Sequence, residues 1–250
     1  MKNRMLKWLA CAASGAFSLA CAKAPSDAAP NAAASTSLVA SASANPAKPT
    51  FVPPAPKEYA ATGADRVGVL AAGTGIAVGQ PVPEVHAQDL SGKDRSLASL
   101  YARGPILLAF YRGGWCPYCN MEIHSLSVAY PEFQQRGVTP VALSVDRPEA
   151  EATLKATYTI PFPVLSDPDA LAIAAFHLVK NVSPEELAKM RSFGIDLEAY
   201  SGRTHHEIAI PALFLIDRSG VVRWAHSDPD FKVRPSTAQI LAAIDAAKLH

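Results

Sequence analysis

A continuous apolar run leads directly into two cysteines near the middle of the chain. The run, residues 105–111 (PILLAFY), carries no charged side chain, which is typical of a central strand buried on both faces of a sheet. Cys116 and Cys119 follow as Cys-Pro-Tyr-Cys, and residues 117–136 carry an apolar stripe that predicts a helix. The chain therefore places two thiols where a buried strand turns into a helix.

A thiol at the start of a helix has a chemical advantage. The first turn of a helix has backbone N–H groups without partners, and the helix dipole adds partial positive charge there. A thiolate in this place is stabilised, so that its pKa can fall from about 8.5 into a range of roughly 3.5 to 7.5. Because only the thiolate is a nucleophile, we expect Cys116, which is nearer the helix start and solvent, to attack disulfides. Cys119 lies one turn deeper and is expected to be less exposed.

Three neighbours of the thiols are candidates for supporting roles. Pro117 falls at the start of the predicted helix, where its missing N–H costs nothing. Trp115 can shield one side of the thiols and offer an apolar contact. Arg112 supplies a nearby positive charge that would lower a thiol pKa.

The spacing of the pair also bears on two other uses of cysteine. A disulfide across two intervening residues closes a very small loop, so it would stabilise the fold little. A zinc site would need two further ligands, and the sequence has no second Cys-x-x-Cys motif. We therefore expect a redox pair with no metal and no organic cofactor, since two thiols can carry both electrons.

The first 22 residues have the pattern of a secretory signal peptide. Three basic residues stand among the first seven, and the apolar stretch over residues 6–20 is too short for a stable membrane span. Small residues follow this stretch, as they do before a cleavage site. The pattern predicts an exported protein, in a compartment where thiols tend to oxidise.

Two cleavage sites fit this signal. Cleavage after residue 22 gives a mature chain that begins at Lys23. Residues 18–21 also resemble a bacterial lipobox, which implies a signal of residues 1–20 and a membrane tether through a lipidated Cys21. Cys11 is lost in either case, so the thiols of the Cys-Pro-Tyr-Cys motif are the only free ones expected.

The rest of the chain divides into three parts by composition. Residues 23–56 are rich in Ala, Pro and Ser and predict a disordered linker. Residues 57–80 predict an N-terminal extension, and residues 81–250 have the pattern of a single globular domain. Four side chains are expected to pack the extension on the domain: Tyr59, Val67, Val69 and Leu70. A formal net charge of +1 gives no reason to expect a nucleic-acid partner.

The domain alternates strands and helices. Besides the elements at the thiols, we expect strands over 82–90, 138–145, 212–216 and 221–225, a strand or turn over 162–165, and helices over 148–157, 167–177 and 235–249. A further helix should begin at Ser183-Pro184-Glu185-Glu186, which is a capping sequence. This order predicts an α/β fold with a central mixed β-sheet flanked by helices.

Several stretches carry a family resemblance. ILLAFYRGGWCPYC, VTPVALSVDRPE, FPVLSDPD and IPALFLIDRSGVVRWAHSDPDFKVRP resemble the peroxiredoxin-like branch of the AhpC/TSA family, within the thioredoxin superfamily. The resemblance covers residues 81–250. It implies a thioredoxin-like fold and thiol chemistry on a peroxide or disulfide substrate, with an external thiol reductant as partner.

The resemblance also draws attention to Pro211. This proline opens the predicted strand over 212–216, a position where a sheet tolerates proline. In thioredoxin-like proteins a proline at this place is cis and faces the reactive thiols, so the resemblance implies a supporting role for Pro211. The alternative is an ordinary trans proline at the start of a strand.

The chain departs from the peroxiredoxin pattern at the thiols. Peroxiredoxins carry Thr or Ser three residues before the peroxidatic cysteine, and an arginine shortly before the later strand. Alignment on that pattern puts Cys119 at the peroxidatic position, Cys116 at the Thr position and the arginine position on or near Pro211. Two assignments therefore stay open: attack by Cys116 on disulfides, and attack by Cys119 on peroxide.

Other polar and aromatic residues are expected to be exposed to solvent or to have structural roles. Glu122 and His124 are expected on a solvated helix face, and His205 and His206 in a surface loop that could approach the thiols. Trp224 and His226 are expected to pack on the sheet. Asp230, Arg234 and Pro235 match the ending of the family branch and are expected to be structural.

The sequence thus predicts an exported, peroxiredoxin-like thiol-dependent oxidoreductase, periplasmic or anchored in the membrane as a lipoprotein, with an antioxidant role. Cys116 and Cys119 would be catalytic and would form a redox-active disulfide. One alternative is a periplasmic thiol–disulfide oxidoreductase that acts on protein disulfides. Another is a non-enzymatic binding module or metallochaperone on a thioredoxin scaffold, since a fold does not fix a function.

Overall fold

The computed structural model describes residues 66–249. The predicted signal peptide, the linker over residues 23–56 and the first part of the extension lie outside the described residues and stay predictions. Within residues 66–249, no helix has the length and apolar character needed to cross a membrane.

The described part of the chain contains nine strands and eight helices. The strands are β1 (His86–Gln88), β2 (Asp94–Ser96), β3 (Ile106–Phe110), β4 (Thr139–Ser144), β5 (Val164–Ser166), β6 (Val179–Asn181), β7 (Glu207–Ala209), β8 (Ala212–Ile216) and β9 (Val222–Ser227). The helices are α1 (Ala98–Tyr101), α2 (Pro117–Val128), α3 (Tyr130–Gln135), α4 (Pro148–Tyr158), α5 (Leu171–Ala175), α6 (Pro184–Ser192), α7 (Leu197–Ser201) and α8 (Thr237–Ala247).

Seven strands form one mixed sheet in the order β2-β1-β5-β4-β3-β8-β9. Strands β3, β4 and β5 run parallel, joined by helical crossovers, whereas β8 and β9 pair antiparallel at one side and β1 and β2 at the other. Parallel neighbours need such crossovers, and hairpins supply the antiparallel edges. The predicted α/β, thioredoxin-like fold with a central mixed sheet flanked by helices is confirmed.

The centre of this sheet holds the thiol segment in place. Every residue of β3 and of β8 is buried, and Phe110 at the end of β3 pairs with Ala212 of β8 and Leu143 of β4. The Phe110 ring centre lies 4.8 Å from that of Phe176 and 5.9 Å from that of Phe214. The loop that carries the thiols therefore leaves from a fully packed part of the core.

The helix predicted over residues 117–136 is two helices. Pro131 has no N–H to donate to the carbonyl of Ser127, and its ring would clash with that carbonyl in a continuous helix. The backbone accordingly leaves helical values at Ala129, where φ is −85° and ψ is 6°. Proline is tolerated in a first turn, so α3 begins directly at Tyr130.

Some local predictions are confirmed and others are wrong. The Ser183 capping box is complete, and the Asp167 carboxylate accepts three backbone N–H groups of α5. In the extension Leu70 packs against the core, but Val69 is 53% exposed, contrary to the prediction. The pairing of β6 with β7 in a separate small sheet was not predicted, since both strands are three residues long.

Candidate active site

The thiols lie at the junction of β3 and α2, as the sequence predicts. Cys116 is the residue before the helix, with φ −91° and ψ 113°, and Pro117 occupies the first turn. The Cys116 N–H donates to the Gly113 carbonyl at 3.1 Å, and the Cys116 carbonyl accepts the Asn120 N–H at 3.0 Å. Both cysteines are free thiols in this structure. The strand, the loop and the first helical turn thus fix the backbone at Cys116.

The loop before Cys116 needs glycine at one position. Gly113 has φ +144°, a conformation that other residues rarely adopt. A Cβ atom there would lie 2.3 Å from Trp115 Nε1 and 2.7 Å from Asp146 Oδ1. The next residue, Gly114, donates its N–H to Asp146 Oδ2 at 2.7 Å and accepts from Asn120 Nδ2 at 2.8 Å. Side chains from two other elements therefore hold this loop.

Both thiols are buried, and this corrects one expectation. Cys119 is 0% exposed as predicted, but Cys116 is only 1% exposed, although it was expected to be open to solvent. Arg112 Nη1 lies 4.0 Å from Cys116 Sγ. The Arg112 guanidinium lies 4.9 Å from the Trp115 ring centre and 4.3 Å from the Phe231 ring centre. Because Cys116 is 1% exposed, a large substrate can reach it only if neighbouring side chains move.

The two thiols have opposite acidities. A hydrogen bond from Cys119 lowers the pKa of Cys116 to about 6 against the effect of burial, and the charge of Arg112 and the Cys119 N–H lower it further. Burial raises the pKa of Cys119 well above its usual value, and the hydrogen bond and charge of Cys116 raise it further. At neutral pH Cys116 is therefore a thiolate and Cys119 a thiol.

Arg234 contacts the deeper thiol, a role that the sequence reasoning missed. Its Nη2 lies 3.5 Å from Cys119 Sγ, and its Nη1 donates to Glu122 Oε2 at 2.5 Å. Arg234 and Glu122 are 2% and 5% exposed, so the prediction of Glu122 on a solvated face is wrong. Glu122 stands three residues after Cys119 on α2, and this helical spacing was a signal that both share one face.

A group of buried polar side chains lies behind the loop. The Ser144 hydroxyl donates to Glu151 Oε1 at 2.5 Å and accepts the Asp146 N–H at 3.0 Å, while the Tyr111 hydroxyl donates to Glu151 Oε2. Burial raises the pKa of Asp146 to about 7, and the charge of Cys116 adds to the rise. Burial likewise raises the pKa of Glu151 well above its usual range. Sequence reasoning did not single out any of these four residues.

The structure also places Pro211, His205 and His206, the other residues that were considered as neighbours of the thiols. Pro211 is buried and directly precedes β8. Because Phe110 pairs with Ala212 in antiparallel strands, Pro211 lies beside the start of the thiol loop. The cis isomer of its peptide bond stays a prediction. His205 Nε2 contacts the Pro168 carbonyl, and His206 Nε2 contacts Glu198. Among residues 66–249, no group of three or more His, Cys, Asp or Glu side chains could hold a metal ion.

This fold and this site define a class: a thiol-dependent oxidoreductase built on a thioredoxin-like fold. Residues 78–225 match the model of the AhpC/TSA family, which covers more than half of the chain. The chain therefore belongs to the AhpC/TSA family, and the resemblance stated from its motifs is confirmed.

Curated relatives carry the name of one enzyme. The chain is 26% identical over 151 residues to the thiol-disulfide oxidoreductase ResA of Geobacillus thermodenitrificans, which covers 60% of this chain and 69% of that protein. It is 31% identical over 100 residues to ResA of Bacillus cereus, which covers 40% of this chain and 57% of that protein. The match thus spans little more than half of the second relative.

Solved structures of peroxiredoxins share the fold. Peroxidoxin BcpB from Mycobacterium tuberculosis superposes with a TM-score of 0.53 at 21% identity, over 68% of this chain and 97% of that one. Reduced Prx3 from Vibrio vulnificus, in complex with hydrogen peroxide, gives a TM-score of 0.56 at 19% identity, over 68% and 99%. At these identities the likeness concerns the fold alone.

Proposed function

We propose that the protein exchanges disulfides, with Cys116 as the attacking thiolate and Cys119 as the resolving thiol. The observation that carries this is the opposite shift in acidity of two adjacent thiols, which supplies one nucleophile and one protonated partner at neutral pH. The curated name of the ResA relatives supports the same reaction class.

The reaction runs in two exchanges. The Cys116 thiolate attacks one sulfur of the substrate disulfide, a mixed disulfide forms, and the other substrate sulfur leaves as a thiolate. Cys119 then loses its proton and attacks Cys116 Sγ, which releases the second substrate sulfur and leaves a Cys116–Cys119 disulfide. The substrate has gained two electrons and the Cys119 proton. An external thiol reductant returns both electrons to the pair.

The site also supplies a reason for the order of the two attacks. The charge of the Cys116 thiolate and its hydrogen bond raise the pKa of Cys119. The mixed disulfide removes that charge, while Arg234, whose charge lowers the pKa of Cys119, stays 3.5 Å from Cys119 Sγ. Cys119 therefore becomes easier to deprotonate after Cys116 has reacted, which is when it must attack.

Peroxide reduction is a second candidate, and Arg234 favours it. A guanidinium beside a thiol stabilises the thiolate and can donate hydrogen bonds to a small oxygen substrate. Cys119 stands at the position that aligns with the peroxidatic cysteine. In this reaction a thiolate attacks one peroxide oxygen to form a sulfenic acid, and the other thiol displaces water to form the disulfide.

Reaction of the fully reduced protein with each oxidant separates these functions. We expect a small disulfide to convert the two thiols to one intramolecular disulfide faster than an equal concentration of hydrogen peroxide does. Quenched alkylation followed by mass spectrometry measures the rate of this conversion. Faster oxidation by peroxide would favour the peroxidase. Thiols that stay alkylatable with both oxidants, together with stoichiometric metal in the purified protein, would favour a binding module.

The location of the protein is a proposal of the same kind. We propose export to the periplasm, with the basic and apolar pattern of the first 22 residues as support. The intact mass of protein from a native-like host should correspond to a chain that begins at Lys23, or at Cys21 with attached lipid. A full-length chain that still begins at Met1 would contradict export.

A further inference from the structure

We propose that Arg112 is a receptor for a substrate carboxylate and that the site prefers small anionic disulfides. Such a disulfide carries its carboxylate a few bonds from the sulfur that Cys116 attacks. This inference rests on the proposed disulfide exchange and adds the chemical class of the substrate.

The first observation is the pairing of the guanidinium. Arg112 Nη1 lies 4.0 Å from Cys116 Sγ, a long contact for one of its five N–H donors. Within residues 66–249, no carboxylate forms an ion pair with Arg112, in contrast to Arg234, which pairs with Glu122. Arg112 is partly exposed, and in the described part of the chain its guanidinium has no other hydrogen bond.

The second observation is that the guanidinium is held in place. Its carbon lies 4.9 Å from the ring centre of Trp115, which is 3% exposed, and 4.3 Å from that of Phe231. The Phe231 ring in turn meets the Tyr118 ring edge to face at 5.3 Å. Stacking between aromatic faces is a favoured setting for arginine, and a fixed guanidinium loses little entropy when it binds a carboxylate in its plane.

The third observation is the positive charge beside the Phe231 ring. Lys232 places a second positive charge 5.8 Å from the Phe231 ring centre. Among nearby carboxylates, Glu122 pairs with Arg234, and Glu186 pairs with Lys180 while the charge of Arg112 also lowers the pKa of Glu186. Arg112 and Lys232 thus place two positive charges beside the Phe231 ring, and positive charge raises the local concentration of anions.

A protein disulfide is expected to reach the Cys116 sulfur less easily than a small one. Cys116 is 1% exposed, with Arg112 Nη1 4.0 Å from its sulfur, and a polypeptide would have to move this guanidinium away from its two aromatic contacts to reach the sulfur. A small anion needs less space, so its carboxylate can bind the guanidinium where the two rings hold it while its sulfur approaches Cys116. Arg112 thus restricts access to the Cys116 sulfur and favours anionic disulfides among the substrates that reach it.

Three small disulfides of similar size test this preference. They are 3,3′-dithiodipropionate, which is anionic, bis(2-hydroxyethyl) disulfide, which is neutral, and cystamine, which is cationic. Each rate constant for oxidation of the reduced full-length protein is measured at pH 7.5 and divided by the rate constant of the same disulfide with 2-mercaptoethanol thiolate. This division removes the intrinsic reactivity of the disulfide.

For the wild-type protein we expect the normalised rate to fall in the order anionic, neutral, cationic, with about a fivefold to tenfold gap between the first two. Arg112→Gln should reduce that gap to about twofold or less, and Arg112→Lys should keep part of it. Lys93→Gln is the control, because Lys93 is an exposed residue of the β1–β2 turn and its loss changes net charge equally. It should leave the gap unchanged.

The ratio between disulfides separates this role from the effect of Arg112 on thiol acidity. A higher pKa of Cys116 in the variants slows all three disulfides by the same factor and leaves the ratio unchanged. Equal normalised rates in the wild-type protein would overturn the carboxylate receptor while disulfide exchange stands. If none of the three oxidises the pair, disulfide exchange and the receptor are both wrong.

Discussion

Arg234 Nη2 lies 3.5 Å from Cys119 Sγ, although 115 residues separate the two along the chain. The contact joins the segment before α8 to the first turn of α2, and Glu122 on α2 holds the guanidinium from the other side. A fully buried thiol with a raised pKa thus has a fixed cation beside it. The proposed resolving step depends on this arrangement, because the cation favours the thiolate that must form.

The ion pair of Arg234 with Glu122 gives the first prediction. Arg234→Met should lower the free energy of unfolding by about 3–5 kcal/mol, because it leaves the buried Glu122 carboxylate without a partner. Adding Glu122→Gln should recover much of that loss. Urea unfolding of the wild type, both single variants and the double variant measures the coupling. Strictly additive effects would contradict a direct interaction.

The acidity of Cys116 gives the second prediction. The rate of iodoacetamide alkylation at Cys116 should rise with pH, with a midpoint near the pKa of about 6, and level off above it. Cys119→Ala should move the midpoint to higher pH, because the hydrogen bond from Cys119 is the largest cause of the lowered pKa. Peptide mapping assigns the modified residue. An unchanged midpoint in the variant would show that another group sets the acidity.

The buried Asp146 carboxyl gives a prediction about pH and stability. Its pKa is raised to about 7 in the folded state from 3.8, chiefly by burial, so the folded state retains a proton that the unfolded chain has released. The stability that this proton supplies is full below pH 3.8 and is lost as the pH rises through 7, at about 1.4 kcal/mol per unit of pKa difference.

Asp146→Asn should therefore gain stability relative to the wild type as the pH rises from 5 to 8, since the amide can still accept the Gly114 N–H but cannot ionise. Chemical unfolding at each pH measures this difference. A difference that stays constant over the range would mean that Asp146 does not hold a proton in the folded protein.

Gly113 gives a prediction with a matched control. Gly113→Ala should destabilise the protein by about 3 kcal/mol or more, because it adds a strained φ and places Cβ within 2.3 Å of Trp115 Nε1. Gly137 also has a positive φ of 67°, but its Cβ would meet no atom within 4 Å. Gly137→Ala should cost about 1 kcal/mol. Equal losses in thermal unfolding would contradict the close packing at Gly113.

The sequence predicted those parts of the fold whose signals are local. The all-apolar stretch of β3, the Ser183 capping box and the proline at the start of α2 each depend on neighbouring residues, and the structure has all three. The break before α3 was equally local, since Pro131 is visible in the sequence. The apolar stripe continues across Pro131, so the pattern of apolar residues alone does not reveal the break that the missing N–H causes.

The candidate site was predicted only in part, since its buried polar residues depend on distant partners. Glu122 is buried because Arg234 comes from 112 residues away to pair with it, and no pattern within α2 reveals that arginine. In the sequence, Asp146 and Glu151 are indistinguishable from exposed acidic residues of a loop and a helix. Only the fold shows that Glu151 accepts from Tyr111 and Asp146 from Gly114. The position of Arg112 beside Cys116 also depends on a distant partner, since its guanidinium lies 4.3 Å from the ring centre of Phe231 in a remote loop.

The most direct test of the central claim is to trap the intermediate of disulfide exchange. Reduced Cys119→Ser and Cys116→Ser proteins are each mixed with the same small disulfide and analysed by intact mass and peptide mapping. Cys119→Ser should accumulate a stable mixed disulfide on Cys116. Cys116→Ser should form little or none, because burial, the largest cause of the raised pKa of Cys119, remains when the Cys116 charge is lost. A mixed disulfide that forms on Cys119 but not on Cys116 would contradict the assignment of Cys116 as the attacking thiolate.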